Sequence, residues 1–241
     1  MPERWQSACA TPTVAAKDKL GEASVDLSLT QEDIAFRDEV RAFLDENLTE
    51  EFRAWGRLTR SFVGDVEIGK RWQKIVHARG WGAPAWPVEY GGTGWTAMQR
   101  YIFERECAAA YAPKFFNMGI RMVGPVIMKF GTPEQKAKFL PPTVAADIMW
   151  CQGYSEPGSG SDLASLQTRA ERDGDHYVIN GSKIWTTLAH YADWMFCLVR
   201  TDKDTKKKQE GISFLLIDMK TPGISIRPII TLAGDHEVNQ V

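Results

Sequence analysis

A chain of 241 residues with a formal net charge of −2 has the length of one large domain or two small ones, and its near-neutral balance gives no reason to expect nucleic acid or an anionic membrane as a partner. Hydrophobic residues at 44% supply enough apolar material for a packed core, which excludes wholesale disorder. No run approaches the roughly 18–20 apolar residues of a membrane-spanning helix.

Residues 1–24 mix Glu3, Arg4, Lys17, Asp18, Lys19 and Glu22 with small side chains. They lack the apolar core of a signal peptide, and their acidic residues do not suit a transit peptide. They read as a disordered tail, and a cytoplasmic location is expected by default. Thr30, with Asp33 three residues on, is a variant capping box. Phe36, Val40, Phe43 and Leu44 then fall at i, i+4, i+7 and i+8, which predicts an amphipathic helix over Gln31–Asn47. Ile68, Trp72, Ile75 and Val76 repeat the pattern over 67–79, with Gly80 as a C-cap. Residues 80–95, thick with Gly, Pro and aromatics, predict a rigid connection. A third helix is expected over 96–110, with Glu104 and Glu106 solvated or ion-paired. A fourth is expected over 115–130, kinked near Gly124-Pro125. Met118, Met122 and Met128 on it suit core filling before contact with an acyl chain. Thr132 and Pro133 open a short helix that Pro141-Pro142 should end.

Near Asp147 the period changes from helical to alternating. Strands are predicted over 147–153, 167–172, His176–Asn180, 183–187, Trp194–Arg200, 211–219 and 223–230. Asp173-Gly174 and Asn180-Gly181 are turn signals between them. The charged run 202–210 reads as a solvated loop. Helices followed by strands, without alternation, indicate an α+β fold. An all-helical N-terminal domain (25–146) precedes a β-barrel-like or β-sandwich middle domain (147–241).

The stretch richest in chemical signal is 150–187. Pro157, Gly158, Ser159, Gly160 and Ser161 follow Ser155 and Glu156. Glycines there permit positive φ and close approach of a ligand to the main chain. Successive N–H groups in such a turn make an anion site, to which serines add hydroxyl donors. Lys183-Ile184-Trp185-Thr186-Thr187 places an aromatic ring beside two hydroxyls. Together these suit a flat cofactor with a phosphate tail, and the same composition is also that of a plain surface turn. A P-loop, a GxGxxG and a GxSxG are all missing. Cys9, Cys107, Cys151 and Cys197 have no CxxC spacing and read as reduced, buried thiols. His77, His176, His190 and His236 have no HExxH or His–Cys spacing, so no metal site is legible.

SEPGSGSDLASLQT, then GDHYVINGSKIWTT, then YADWMFCLVRTD, in that order and spacing, resemble the middle domain of the acyl-CoA dehydrogenase family. The resemblance extends from about Leu27 to the last residue, and residues 80–95 are similar to a family marker. It implies FAD-dependent α,β-dehydrogenation of an acyl-CoA thioester in fatty-acid metabolism. A carboxylate takes the α proton and the β hydrogen leaves as hydride to the flavin. It implies an electron-transfer flavoprotein as acceptor, with oxygen as the alternative. Carried over by position, Gln152, Gly153, Tyr154 and Ser155 match the strand along the flavin ring. Gly160 and Ser161 match the pyrophosphate loop, with Ser161 also near the acyl-CoA. Trp185, Thr186 and Thr187 match the segment at the flavin edge. Glu156 and Asp162 read as structural caps, and His236 and Glu237 as local structure.

In the family the base is a glutamate on a later helical bundle. No carboxylate here matches its place, so the catalytic residue is expected beyond residue 241, and the C-terminal bundle is absent from this sequence. The β domain is accordingly expected to be incomplete at its end, with an open strand edge. The look of WCQGYSEP and YADWMFCLVRTD is closest to the large subunit of bacterial pimeloyl-CoA-type dehydrogenases. That implies a homo- or hetero-oligomer with a second dehydrogenase subunit, and a dicarboxyl- or medium-chain acyl-CoA. The competing reading is a non-catalytic flavin- or partner-binding subunit.

Overall fold

The computed structural model describes residues 28–58 and 65–241, so the reading of the N-terminal tail and of Cys9 lies outside the described residues. The first helix, α1 (Gln31–Asn47), starts at a reciprocal cap: the Thr30 hydroxyl accepts from the Asp33 amide, and the Asp33 carboxylate accepts from the Thr30 amide. Next comes α2 (Glu50–Leu58), which is not among the helices expected from the sequence, although Phe52 and Trp55 recur three apart within its nine residues; it buries Phe52. Asp65 caps α3 (Val66–Ala78), and Gly80 follows at φ +84°. A second capping box, between Thr96 and Gln99, opens α4 (Ala97–Ala109).

The interruption expected near Gly124-Pro125 is a π-helical turn, Met118–Val123, that runs into α5 (Gly124–Phe130). Its cause lies elsewhere in the chain. The Trp86 indole donates to the Ile120 carbonyl at 2.7 Å, and a Cβ on Gly124 would collide with that ring. A side chain wedged into the hydrogen-bond ladder widens it locally. The last helix, α6 (Pro133–Val144), corrects one expectation, because it continues through Pro141 and Pro142. The prolines withhold two amide donors, but Thr143 bonds back to the Phe139 carbonyl at 2.6 Å and Ala145 N–H reaches Pro141 O.

The strands are β1 (Trp150–Gly153), β2 (Arg169–Asp173), β3 (His176–Asn180), β4 (Thr186–Thr187), β5 (Trp194–Arg200), β6 (Ile212–Asp218), β7 (Arg227–Ile230) and β8 (His236–Gln240). They make a five-stranded mixed sheet centred on β5 and a three-stranded antiparallel sheet in the order β4-β8-β7. Helices first and sheets second is the segregated α+β arrangement expected. The strand expected over 183–187 shrinks to β4. The last strand is not itself the open edge of its sheet; an open edge falls at β7. β8 is paired on both sides, and Val241 exchanges backbone hydrogen bonds of 2.7 and 2.8 Å with Lys183.

β5 is the hub of the larger sheet. β6 covers its whole length antiparallel, from Trp194 to Arg200. The other edge of β5 is shared: β1 pairs parallel with residues 194–197, and β2 meets β5 only at Arg200. Between β1 and β2 the chain leaves the sheet, and residues 154–168 form an excursion.

Apolar packing joins the two halves. Phe36, Phe43, Trp72, Trp81 and Phe103 belong to one cluster among the helices. A second cluster spans helix and sheet, with Phe139 meeting Trp150 at 5.4 Å and Trp194 at 4.8 Å between ring centroids. Trp150 faces that cluster and Cys151 faces a third, behind the sheet, as alternation along a strand requires. No helix among the described residues is long and apolar enough to cross a membrane.

Candidate functional site

The excursion 154–168 is closed at its neck by one carboxylate. Glu156, buried at 8% exposure, accepts from the amides of Gln167 (2.6 Å) and Thr168 (2.9 Å) and from the Lys183 ammonium (2.8 Å). Burial on its own would raise the Glu156 pKa; the Lys183 ammonium and the neighbouring donors outweigh it and hold the carboxyl below its ordinary value. Glu156 is therefore a structural anchor with three donors on its two oxygens. Asp162 acts through its backbone instead of as a side-chain cap, its carbonyl accepting from Ser159 Oγ and Ser165 Oγ.

The same lysine ties a second segment to the loop. Lys183 Nζ also donates to the Tyr154 carbonyl at 3.1 Å, and the Ile184 amide donates to the Ser155 carbonyl at 2.9 Å. Residues 185–187 are thereby held against the loop's entrance. Trp185 has φ +60° and an indole that is 60% exposed. A bulky residue in the left-handed region stores strain, which points to a function. Thr186 is buried, and its hydroxyl has no hydrogen-bond partner among the described residues. Thr187 is half-buried, on β4.

The candidate residues are not all held in place for the same reason. Gly153 is required by packing, because a Cβ there would strike Met195 Sδ. Tyr154 packs edge-on against Phe196 at 5.8 Å, and burial raises its phenol pKa. Gln152 and Ser155 are half-buried. Gly158 and Gly160 have no positive φ, and a Cβ on either would meet nothing within 4 Å. The fold does not demand glycine there, so close approach of a ligand remains the physical use for it. Gly160 and Ser161 are exposed, and their backbone N–H groups make no hydrogen bond among the described residues.

Two groups carry no sequence signal for their roles. Lys183 is one, because its partners lie far along the chain. Asn239 is the other: at 0% exposure, it donates to the Thr186 carbonyl at 3.1 Å and sits between His190 and His236. A cavity of about 320 Å³ lies on the far side of the loop's neck. Ser165, Gln167, Arg169, Arg200, Lys203 and Lys208 line it, and no carboxylate does. The Arg200 guanidinium is fixed there by the carbonyls of Ala164, Leu166 and Lys208. The buried thiols of Cys151 and Cys197 are pushed up by desolvation, Cys197 to about 11, which makes them inert. Among the described residues no cluster could hold a metal ion.

A helical domain followed by a domain of mixed sheet is the acyl-CoA dehydrogenase fold. Residues 30–147 match that family's N-terminal domain and residues 151–240 its middle domain, and the chain belongs to the acyl-CoA dehydrogenase family. It is 44% identical over 213 residues to the acyl-CoA dehydrogenase IpdE1 of Mycobacterium tuberculosis, covering 86% of this chain and 54% of that protein. Among solved structures it is similar to the Tcur3481-Tcur3483 steroid ACAD (TM-score 0.76, 38% identity, 89% of this chain and 55% of that one). The ChsE4-ChsE5 complex from Mycobacterium tuberculosis gives TM-score 0.72 and 39% identity over 89% and 54%. A glutaryl-CoA dehydrogenase from Mycobacterium smegmatis in complex with FADH2 gives 0.61 and 26% over 88% and 52%. The chain thus spans about half the length of these relatives.

Proposed function

We propose that this chain supplies the flavin- and CoA-holding part of an FAD-dependent acyl-CoA dehydrogenase. One observation carries the reading: the strap 185–187 is clamped to the mouth of a glycine-rich loop, with a strained backbone and a bare indole. An exposed ring fixed in that way suits stacking on a flat isoalloxazine. The free amides of Gly160 and Ser161 suit its pyrophosphate, with the Ser161 hydroxyl shared with the acyl-CoA. Gln152, Tyr154 and Ser155 run along the ring. Gly153 and Thr186 contribute main chain only, since one is packed and the other buried. Ser155 would lie toward the ring's polar edge, and Thr187 would offer a hydroxyl near the flavin N5.

FAD, when bound, supplies the two-electron oxidising capacity for α,β-dehydrogenation. The residues present orient the cofactor and exclude water from one face. The α proton needs a base, and Glu156 cannot serve: it is held ionised, buried and triply hydrogen-bonded. The family resemblance puts the base on a helical bundle outside the two domains of this part, residues 25–146 and 147–241. The basic cavity at Arg169, Arg200, Lys203 and Lys208 suits the phosphorylated end of a CoA thioester. The steroid relative favours a steroid-bearing acyl group over a dicarboxyl or medium chain, and the ChsE4-ChsE5 relative favours assembly with a second dehydrogenase subunit. An electron-transfer flavoprotein is the proposed acceptor.

The test is FAD titration followed by flavin absorbance. Trp185→Ala should weaken FAD binding at least tenfold, and Lys203→Ala with Lys208→Ala should raise the KM for acyl-CoA in the assembled enzyme. FAD affinity indifferent to Trp185 would sink the reading.

A further inference from the structure

The buried side chain behind the strap is Asn239, and its hydrogen bonds leave no freedom in how it points. Its Nδ2 lies 3.1 Å from the Thr186 carbonyl oxygen, which can only accept, so the amide nitrogen must face that way. The second Nδ2 hydrogen is directed at His190 Nδ1, 3.0 Å off, which must therefore be an acceptor without a proton. Oδ1 lies 2.7 Å from His236 Nε2, which must therefore carry a proton. The rings of His190 and His236 stack at 3.8 Å with an interplanar angle of 16°. Thr186 and Asn239 are also register partners in the β4–β8 pair, so the amide acts on the main chain of the strap itself.

We propose that Asn239 is a positioning residue that makes the seated form of the strap 185–187 conditional on a neutral His190. Protonation of His190 at Nδ1 sets one N–H against another. The amide then has to turn, and turning brings Oδ1 against the Thr186 carbonyl oxygen. When it turns, the strap loses the side-chain bond to its Thr186 carbonyl, which adds to the holds at Lys183 and Ile184. With Trp185 at φ +60°, the strap has strain to release when that bond fails.

His190 is faced by few groups that change charge in the same range. His236 stacks on it, and Tyr191 lies at 4.3 Å between ring centroids. Asp235 and Glu237 flank His236 on the β8 side, and Asp193 follows His190 in its own loop, where it accepts from the Met149 amide. Carboxylates and phenols ordinarily titrate outside pH 5–8, so His236 is the one side chain of the same type. Burial, followed by the charge of His236, lowers the His190 pKa below 6.5 and outweighs the opposing contribution of the Asn239 contact. Seating is therefore complete above pH 6.5 and is lost as the pH falls through the lower folded value.

The functional consequence rests on the proposed flavin site, so the experiment separates the two. Amide and indole N–H spectra of the protein are recorded from about pH 8 to about pH 5, spanning the histidine range. They follow the Thr187 amide, the Trp185 indole (assigned with Trp185→Phe) and the His190 ring. The three should move with one midpoint below 6.5. His190→Gln, which keeps an acceptor for Nδ2, should hold the seated signals and flatten the titration. His236→Gln should raise the His190 midpoint. Asn239→Asp, which cannot donate to Thr186 and stabilises a protonated His190, should unseat the strap even at the alkaline end of that range. Strap signals that do not follow His190, or that still titrate in His190→Gln, overturn the proposal. FAD titration at about pH 7.5 and about one pH unit below the midpoint read from the spectra should show at least roughly fivefold weaker binding at the lower pH, and none of that difference in His190→Gln. If the spectra couple as expected and FAD binds at neither pH, the flavin reading falls and the positioning role stands.

Discussion

The helical half and the loop side of the β half are held together by opposite means. Among the helices, Phe43 lies 4.9 Å from Trp81 and 6.1 Å from Trp72, and Trp81 lies 5.8 Å from Phe103, so each ring is fixed by several others. At the loop, one carboxylate closes the neck and one lysine joins neck to strap. Packing is redundant and graded; a buried ion pair is singular. The difference teaches where the molecule is vulnerable. A lost methylene among the helices is shared by its neighbours, while a lost charge at the neck leaves its partner buried with nothing to offset it.

The sharpest way to break that comparison is Lys183→Ala. It strands the Glu156 carboxylate, and the expected loss is about 3–5 kcal/mol by denaturant unfolding. Adding Glu156→Gln should recover a large part of it, because removing both charges removes the desolvation cost as well. A Lys183→Ala variant within about 1 kcal/mol of the parent would show the neck to be as redundant as the core. The pair also fixes an acid limit. Since the folded Glu156 pKa is lowered from 4.5, its contribution is fully present above pH 4.5 and is lost as the pH falls through the folded value. Amide exchange at Gln167 and Thr168 should accelerate in that window, while the amides of α1 should not respond to Glu156. On the helical side Phe43→Leu should cost only about 1.5 kcal/mol, because the surrounding rings can repack.

This contrast also explains what was legible in the sequence. The Phe36, Val40, Phe43, Leu44 spacing and the cap at Thr30 are local signals, and α1 appears where they put it; α4 lies within the helix expected over 96–110. α2 escapes detection because its nine residues are shorter than the window in which a helical period is read, even though Phe52, Trp55 and Leu58 keep helical spacing. The end of α6 is misplaced by sequence rules because Thr143 bonds back to Phe139 past two prolines. β8 escapes because HEVNQ has no apolar alternation; its buried residue is Asn239, fixed by partners that come from residues 186 and 190. The loop and strap residues were legible as composition and as a family resemblance. The ion pair that joins them was not, because nothing within a few residues of Lys183 announces Glu156.

Smaller effects sharpen the comparison within the site. Gly158→Ala and Gly160→Ala meet no atom within 4 Å and relieve no positive φ, so stability should change by at most about 0.5 kcal/mol while FAD retention falls. Gly181→Ala is the control, since its Cβ would strike Thr168 and should destabilise the fold. If Gly160→Ala leaves FAD binding untouched, the loop is a plain turn.

The smallest effect separates two adjacent threonines. The Thr186 hydroxyl is buried without a partner among the described residues, so it bears a desolvation cost of about 1–3 kcal/mol that no bond offsets. Valine has nearly the same shape without the hydroxyl, and Thr186→Val should leave stability unchanged or raise it by up to about 1 kcal/mol. The main-chain bond from Asn239 survives that change, because it is made to the Thr186 carbonyl. Seating of the strap and FAD affinity should therefore both hold. Thr187→Val makes the same change one residue on, at a half-buried position. There the hydroxyl is proposed to face the cofactor, so turnover in the assembled enzyme should fall by about 1–3 kcal/mol in barrier, with folding stability constant. Equal effects of the two substitutions on turnover would mean that the strap acts as a rigid unit, and the assignment of the donor to Thr187 would have to be withdrawn.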